Sequence, residues 1–404
     1  MPSFEVFNQS CESLPFEDNS VDALVTDPPY EISFTGHAFD STGIAYSIKM
    51  WREMLRVLKP GAYILVFGHP RKIHRVVCAI EDAGFTIQDT LAWVYGSALN
   101  TGKAVGREVD RLLGKPRNND RKTYVAIKNL ELFRKQLNGE EPFEWDVPTT
   151  ELGALYNDYN TTLKPGYEPI CLAQKPPSES TYAGNLIRWG VGALNIGETR
   201  IAYRRIFPRI QPKAAEHESN DVYVPNANGR HPRNIIVDKF AADLLDIQQK
   251  EDFGIDTASE FIMVIKEEHI DMQSMRFYYA DKPTRAEKGA GCEELTQHKE
   301  IQIYEKGFAG VSKNPNKIGN NHPTVKPISL MRYLIKLVTA EGQTVLDPFM
   351  GSGSTGCAAM LENRNFIGVE LDAGYAEIAK NRLNHWIMFE DRVTKEPEDQ
   401  ITFF

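Results

Sequence analysis

Cysteine is scarce in this chain and scattered: five residues among 404, at Cys11, Cys78, Cys171, Cys292 and Cys357. None forms a Cys-x-x-Cys pair or falls at metal-ligand spacing with a histidine. That pattern argues against a disulfide framework and against a structural zinc site; the five read as reduced, small hydrophobes. Long apolar runs are missing too. A membrane-spanning helix needs about 20 consecutive apolar residues, and the most apolar stretches, such as 62–67, are far shorter. The first residues, Met1-Pro2-Ser3-Phe4-Glu5, lack a basic segment followed by an apolar one, so no secretory signal is read and a cytoplasmic protein is expected. Positive charge is also in deficit, with 46 Lys and Arg against 55 Asp and Glu and a net charge of −9. Any nucleic-acid partner must therefore meet a local basic face. What is present is globular: 42% hydrophobic and 25% charged residues, enough chain for one large domain or two to three ordinary ones, and no internal repeat.

The first hundred residues read as alternating strands and helices. The run 21–26 is apolar and stops at Asp27-Pro28-Pro29-Tyr30, where two prolines end a strand and begin a rigid loop. Residues 46–58 carry apolar side chains at helical spacing, and Lys59-Pro60-Gly61 is expected to stop that helix. A buried strand over 62–67 ends at Gly68-His69-Pro70, a helix over about 71–83 closes at Gly84, and 85–95 reads as a third strand. This succession predicts a parallel, helix-covered α/β sheet. The last hundred residues repeat the pattern: a helix over 328–337, a strand over 344–346, a glycine-rich turn, a helix over 357–362, a strand over 365–371 and a helix over 372–383.

Between these halves the character changes. Residues 103–135 concentrate Lys and Arg, including Arg107, Arg111, Arg117 and Arg121, which suits either a solvated face or a phosphate-contacting surface. Residues 136–160 read as an insertion or loop. Residues 205–300 show weak periodicity, and the segment reads as a variable or recognition region.

The C-terminal turn, Asp347-Pro348-Phe349-Met350-Gly351-Ser352-Gly353, leads from a strand into a helix. Such a turn brings backbone N–H groups and a helix N-terminus against a ligand. Glu370 stands 17 residues past Gly353, at the tip of the next strand, where a carboxylate accepts hydrogen bonds from both ribose hydroxyls of an adenosine. The turn lacks a clean third glycine of the dinucleotide fingerprint and the Lys-Ser of a phosphate loop. A ligand with adenosine and no pyrophosphate fits better.

By average residue usage, Asp-Pro-Pro-Tyr is expected by chance in about one chain in a thousand of this size. A carboxylate at a strand tip accepts a hydrogen bond from one N–H of an exocyclic amine and the Pro28 carbonyl accepts one from the other. The prolines hold both acceptors still, and Tyr30 offers a face for a planar base. Together they steer the nitrogen lone pair toward an electrophile.

On these motifs the sequence resembles the amino-group DNA methyltransferases that use S-adenosylmethionine, in the permuted (beta-class) order and of the phage or prophage type. The resemblance is carried by Val25-Thr-Asp-Pro-Pro-Tyr30, Arg56-Val-Leu-Lys-Pro-Gly61, Phe67-Gly-His69, 79–85, Leu163-Lys-Pro-Gly-Tyr-Glu-Pro-Ile170, 192–196, Asn321-His-Pro-Thr-Val-Lys-Pro327, the glycine turn and Ile367-Gly-Val-Glu370. It implies a Rossmann-like sheet with helices on both faces and an inserted target-recognition region. The implied division is a first half over 1–100, a basic insertion over 101–160, a continuation over 161–204, a recognition region over 205–275, a second half over 276–390 and a tail over 391–404. Asp27, Pro28, Pro29 and Tyr30 would be catalytic. Asp347, Phe349, Gly351, Ser352, Gly353, Glu370, Thr324 and Lys326 would bind the cofactor, Lys326 pairing with its methionine carboxylate. Arg107, Arg111 and Arg121 would touch DNA. Glu168, beside Pro169, is read as a packing or capping residue. No metal is implied. Double-stranded DNA is the partner, and the resemblance also admits a homodimer and a cognate restriction endonuclease.

The implied reaction is methyl transfer to adenine N6 in a flipped-out base, with cytosine N4 as the alternative and a non-catalytic DNA-binding relative as the competing class. Two departures stand out. Relatives carry Gly-Asp-Cys where this chain has 7–11, Phe-Asn-Gln-Ser-Cys, and they often have Gly after the motif tyrosine, where Glu31 stands.

Overall fold

A computed structural model describes residues 2–32, 38–95, 102–117, 147–200, 231–238, 278–279, 282–292, 295 and 319–393. The chain divides into two compact units, Met1–Gly96 with Tyr167–Phe404, and Ser97–Gly166.

The larger unit is built on a nine-stranded sheet. Its strands are β1 (Phe4–Asn8), β2 (Val21–Thr26), β3 (Leu58–Phe67), β4 (Thr86–Val94), β5 (Tyr167–Gln174), β6 (Ile235–Val237), β7 (Tyr278–Tyr279), β8 (Thr344–Asp347) and β9 (Asn365–Glu370), in the order β1-β9-β8-β2-β3-β5-β4-β6-β7. The described helices are α1 (Ile48–Val57), α2 (Ile73–Ala83), α3 (Val105–Leu112), α4 (Glu151–Leu155), α5 (Tyr182–Trp189), α6 (Arg285–Gly289), α7 (Ile328–Val338), α8 (Ser354–Leu361) and α9 (Ala373–Val393). None of the described helices is long and apolar enough to cross a membrane.

The expected α/β class holds, and so do most element positions. β2 is buried along its whole length, as a central strand covered on both faces must be. α1 begins where the Ser47 hydroxyl accepts the Met50 N–H at 3.2 Å and turns Met50, Trp51, Met54 and Val57 into the core. α2 ends at Gly84 in the left-handed region, φ 114°. One boundary differs. Lys59-Pro60-Gly61 does not make a loop: α1 passes directly into β3, whose first residues include Pro60 and Gly61. A proline is tolerated at a strand's beginning because the ladder does not need its missing N–H.

The all-parallel expectation is corrected by β5. The β1, β9, β8, β2 and β3 strands run parallel, but β5 runs antiparallel to both β3 and β4, with Phe67 opposite Ile170 and Trp93 opposite Glu168. The reason is connectivity. The chain leaves β4 at the edge where the parallel strands end, and β5 re-enters the sheet from that same edge, so it must run backward. Its N-terminal residues therefore lie beside the C-terminal tips of β3 and β4. The strand order also reverses between β8 and β2, and such a reversal opens a crevice at the carboxyl ends of the strands.

The smaller unit packs α3 against α4. Its centre is an ion pair that excludes water: Arg117 Nε meets Asp110 Oδ2 at 2.5 Å, and both side chains are buried. Arg117 also donates to Asn157 Oδ1 at 2.7 Å and to the Gly153 carbonyl at 3.0 Å, while the Thr150 N–H donates to Asp110 Oδ1 at 3.0 Å. Arg117, counted from sequence within a basic surface, is thus a structural cation. Arg121 and most of the basic stretch lie outside the described residues, as do 205–230 and 239–275 of the expected recognition region.

Candidate active site

At the tip of β2 the chain turns through Asp27-Pro28-Pro29-Tyr30 and then enters the left-handed region at Glu31, φ 56°. Asp40 fixes this turn, its carboxylate accepting the N–H of Glu31 at 2.9 Å and of Ile32 at 3.3 Å. A left-handed conformation suits glycine and strains other residues, so Glu31 holds this turn at a cost.

Three side chains converge on Asp27. Lys326, from the segment before α7, donates to Asp27 Oδ2, and its Nζ lies 3.4 Å from Glu168 Oε2. The Tyr30 hydroxyl donates to the same Glu168 oxygen at 2.8 Å. The Lys326 ammonium sits 5.2 Å from the Tyr30 ring centroid and 5.1 Å from that of Phe67. Asp27 Oδ1 is buried and has no hydrogen-bond partner. Burial pushes the Asp27 carboxyl up against the pull of Lys326, with Glu168 adding to the rise. Burial opposes charge on Lys326, but Asp27 and Glu168 outweigh it and hold the ammonium above its ordinary value. Burial, then the carboxylates of Asp27 and Glu168, raise Tyr30 well above the usual phenol, so it remains a donor.

Across the switch point, Asp347 at the tip of β8 accepts the hydroxyls of Thr26 and Thr355 at 2.6 Å each and the Phe349 N–H at 3.1 Å. Burial lifts its carboxyl to about 7. Asp347 therefore ties β2, which carries Asp27, to β8 and to the start of α8. The turn after β8 holds Gly351 at φ 51° and Gly353 at φ 77°. A Cβ on Gly351 would come within 2.6 Å of His322 Nε2, and the His322 ring is itself braced edge-on against Tyr375 at 4.6 Å between centroids. Glu370 ends β9 with one carboxylate oxygen accepting the Gly351 N–H at 2.9 Å and the other the Asp372 N–H at 2.9 Å. A carboxylate has about four acceptor sites, so capacity remains on both oxygens.

This edge thus joins a strand-tip acceptor fixed between prolines to a glycine turn with an acidic strand tip. A sequence model for the DNA methylase family matches residues 21–381, which include every one of these groups. The chain belongs to the DNA methylase family. It is an enzyme of the class that modifies DNA by methylation. Among curated relatives, the type II methyltransferase M.HindIII of Haemophilus influenzae is 26% identical over 338 residues, covering 83% of this chain and 68% of that protein. The DNA adenine methyltransferase YhdJ of Escherichia coli is 42% identical over 64 residues, 16% of this chain and 22% of that protein. The chain spans about a quarter of the length of several further type II methyltransferases it matches. Among solved structures, the cytosine-N4-specific PvuII DNA methyltransferase aligns with a TM-score of 0.44 at 12% identity, over 97% of this chain and 92% of that one.

Within this DNA methylase the expected site residues fall in two groups. Asp27, Pro28, Pro29 and Tyr30 lie together with Lys326; Phe349, Gly351, Ser352, Gly353 and Glu370 form the neighbouring turn. Thr324 is exposed beside His322, to whose Nδ1 its N–H donates at 3.4 Å. The Lys326 ammonium is engaged by the motif aspartate and Glu168. Asp347 spends both oxygens on protein donors and acts first as a brace. Arg107 and Arg111 lie on α3, where Arg111 pairs with Glu108 at 2.5 Å on an exposed face.

Sequence reasoning missed Glu168, set aside as a packing residue. It misses because the residue is paired with Trp93 on a strand whose direction the periodicity did not reveal; the signal available was a charged residue just before a buried run, Pro169–Gln174. It also missed Arg382, fully buried on α9, which donates to the Ser352 carbonyl at 2.7 Å and hydroxyl at 3.0 Å and so fixes the turn from below. Near residue 9, Asn8 donates to the carbonyls of Glu370 at 2.8 Å and Leu371 at 3.0 Å, anchoring the β9 tip from β1.

The residues present fit an adenosine-bearing ligand. A glycine turn that tolerates no Cβ, a helix N-terminus behind it and a strand-tip carboxylate with spare acceptor sites are the parts such a ligand requires.

Proposed function

We propose that the protein is a site-specific DNA methyltransferase of the permuted order, transferring a methyl group from S-adenosylmethionine to the exocyclic N6 of adenine in double-stranded DNA. The observation that carries the reading is Asp27 Oδ1: a buried, unpartnered acceptor at a strand tip, fixed between prolines and next to the glycine turn. An unsatisfied buried oxygen costs about 1–3 kcal/mol, a cost that an incoming amine N–H relieves.

S-adenosylmethionine supplies a methyl group already activated by its sulfonium, so the reaction calls for no metal. Gly351, Ser352 and Gly353 would line it, and Glu370 would accept its ribose hydroxyls. Asp27 Oδ1 and the Pro28 carbonyl would accept hydrogen bonds from the two amine N–H groups and aim the nitrogen lone pair. Tyr30 would stack on a base swung out of the duplex, offsetting an unstacking cost of a few kcal/mol. Catalysis on this reading is positioning together with stabilisation of developing positive charge. Target choice is assigned to side chains of 103–160 and 205–275. The name of the Escherichia coli relative and the aspartate at the first motif position favour adenine.

The test is transfer of labelled methyl from S-adenosylmethionine to unmethylated duplex DNA, with the product digested to nucleosides. Label in N6-methyladenine is the expected outcome. Label in N4-methylcytosine overturns the base assignment and keeps the site. Asp27→Ala is expected to abolish transfer while leaving the cofactor dissociation constant within about threefold of wild type; near-wild-type transfer removes Asp27 from the chemistry.

A further inference from the structure

Glu168 sits where its charge and its acceptor oxygens decide what Asp27 can do. The donors around Asp27 are Tyr30, with one hydroxyl proton, and Lys326, with three ammonium protons. Tyr30 lies near enough to Asp27 for its hydroxyl to influence that carboxyl both by charge and by hydrogen bonding, but its well-formed hydrogen bond runs to Glu168 Oε2 at 2.8 Å and leaves Asp27 Oδ1 without a partner. Lys326 reaches Asp27 Oδ2 and places its Nζ 3.4 Å from the same Glu168 oxygen. Without Glu168, Tyr30 and Lys326 would both turn to Asp27 and cover both of its oxygens. No acceptor would then remain for an amine. The charges tell the same story. Asp27 and Lys326 alone would be neutral; Glu168 leaves one negative charge in excess on a group largely shielded from water, with side-chain exposures of 18%, 9% and 16% for Asp27, Lys326 and Glu168.

We infer that Glu168 is a positioning residue for methyl transfer, holding the Tyr30 proton and sharing the Lys326 ammonium so that Asp27 Oδ1 stays open to the target amine and the site keeps one surplus negative charge. The inference rests on the transfer reading above. In the transfer, the nitrogen–carbon bond forms as the sulfur–carbon bond breaks with its electron pair left on sulfur. Positive charge moves onto the amine nitrogen, and the surplus amine proton then passes to Asp27 Oδ1. A fixed negative charge beside that nitrogen favours this step more than it favours the uncharged bound amine, which is the condition for accelerating it.

The groups facing these carboxylates come from every neighbouring element. Asp27 is faced by Lys326, Tyr30, Glu168 and, across the switch point, Asp347. Glu168 is faced by Lys326 and Tyr30, by Tyr95 at the end of β4, by His69 after β3 and by Lys282.

The decisive variant is Glu168→Gln, which keeps an acceptor for Tyr30 and removes the charge. Its plateau kcat is expected to fall on the order of 10²-fold, with KM for DNA within about threefold of wild type. Glu168 pushes the Asp27 carboxyl up, so its neutralisation should move the acidic limb of the kcat profile to lower pH. Glu168→Asp should recover part of the plateau. A residue that only supported folding would lower the melting temperature and leave the limb where it was. An unmoved limb, or a plateau within about twofold of wild type, overturns the inference. The same coupling is read without turnover by following the Asp27 side-chain carboxyl by carbon-13 NMR, assigned with Asp27→Asn. A lower titration midpoint in Glu168→Gln supports the inference even if duplex DNA proves not to be the acceptor, and an unchanged midpoint overturns it. Failure of the wild-type protein to methylate DNA, by contrast, strikes the transfer reading alone.

Discussion

Removing Lys326 should expose how the site is held together. Lys326 is 7% exposed and its ammonium is shared by two carboxylates that are themselves mostly buried. Taking one partner from a buried ion pair costs about 3–5 kcal/mol, because the remaining charge is left without compensation. Lys326→Met preserves much of the side-chain volume, so the loss comes from electrostatics more than from a cavity. Here it leaves Asp27 and Glu168 facing each other with no cation between them. The cost should fall on acidification: the Asp27 carboxyl, already pushed up by burial and by Glu168 and now without the pull of Lys326, would titrate at higher pH in the folded protein than in the unfolded chain, so its protonation relieves the repulsion. The variant should be most destabilised at about pH 8 and measurably less so at about pH 5.5. Adding Asp27→Asn removes one of the two orphaned charges, so the double variant should regain about 2 kcal/mol over Lys326→Met alone, within the range for directly coupled residues. Urea unfolding of the wild type, both single variants and the double at the two pH values measures this. Additivity within about 0.5 kcal/mol, or a Lys326→Met penalty that does not change with pH, would refute the ion-pair reasoning.

The remaining predictions concern the frame around the site. Gly351→Ala forces a side chain into the left-handed region and to within 2.6 Å of His322, which is braced by Tyr375; a loss of about 2–5 kcal/mol is expected from backbone strain plus overpacking, with weaker cofactor binding by calorimetry, and an unchanged melting temperature would show that His322 yields freely. Glu31→Gly relieves the same strain at φ 56° and should stabilise by up to about 1 kcal/mol in chemical denaturation; any loss would mean the Glu31 side chain contributes more than its backbone costs. Glu370→Ala should weaken cofactor binding roughly 10- to 100-fold, the worth of hydrogen bonds to a charged group, and an unchanged dissociation constant would take Glu370 out of the site. Neutralising Arg107, Arg111 and Arg121 together should lower DNA affinity and reduce the salt slope by roughly one unit for each phosphate that no longer meets a cation; an unaltered slope returns them to a solvated surface.

The sequence alone determined the chemistry-bearing pieces. Asp27 to Tyr30, the Gly351–Gly353 turn and Glu370 are local signals, because prolines, glycines and strand ends act within a few residues of themselves. The strands and helices around them were legible for the same reason: β2 is a continuous buried run closed by prolines, and α2 and α7 bury apolar residues at helical spacing. Tertiary structure decided the rest. The direction of β5 follows from where the chain re-enters the sheet, and no periodicity within 167–174 encodes it. That direction puts Glu168 beside Asp27, 141 positions away in sequence. It is also why Lys326, which reads in isolation as a loop charge, becomes the shared partner of two buried carboxylates. Arg117 turned inward for a related reason: Asp110, seven residues back, and the Gly153 carbonyl, 36 residues on, supply the partners that a buried guanidinium needs. Local sequence fixes what a residue can do chemically; the long-range packing of sheet and helices fixes which charges meet, and so which residues act.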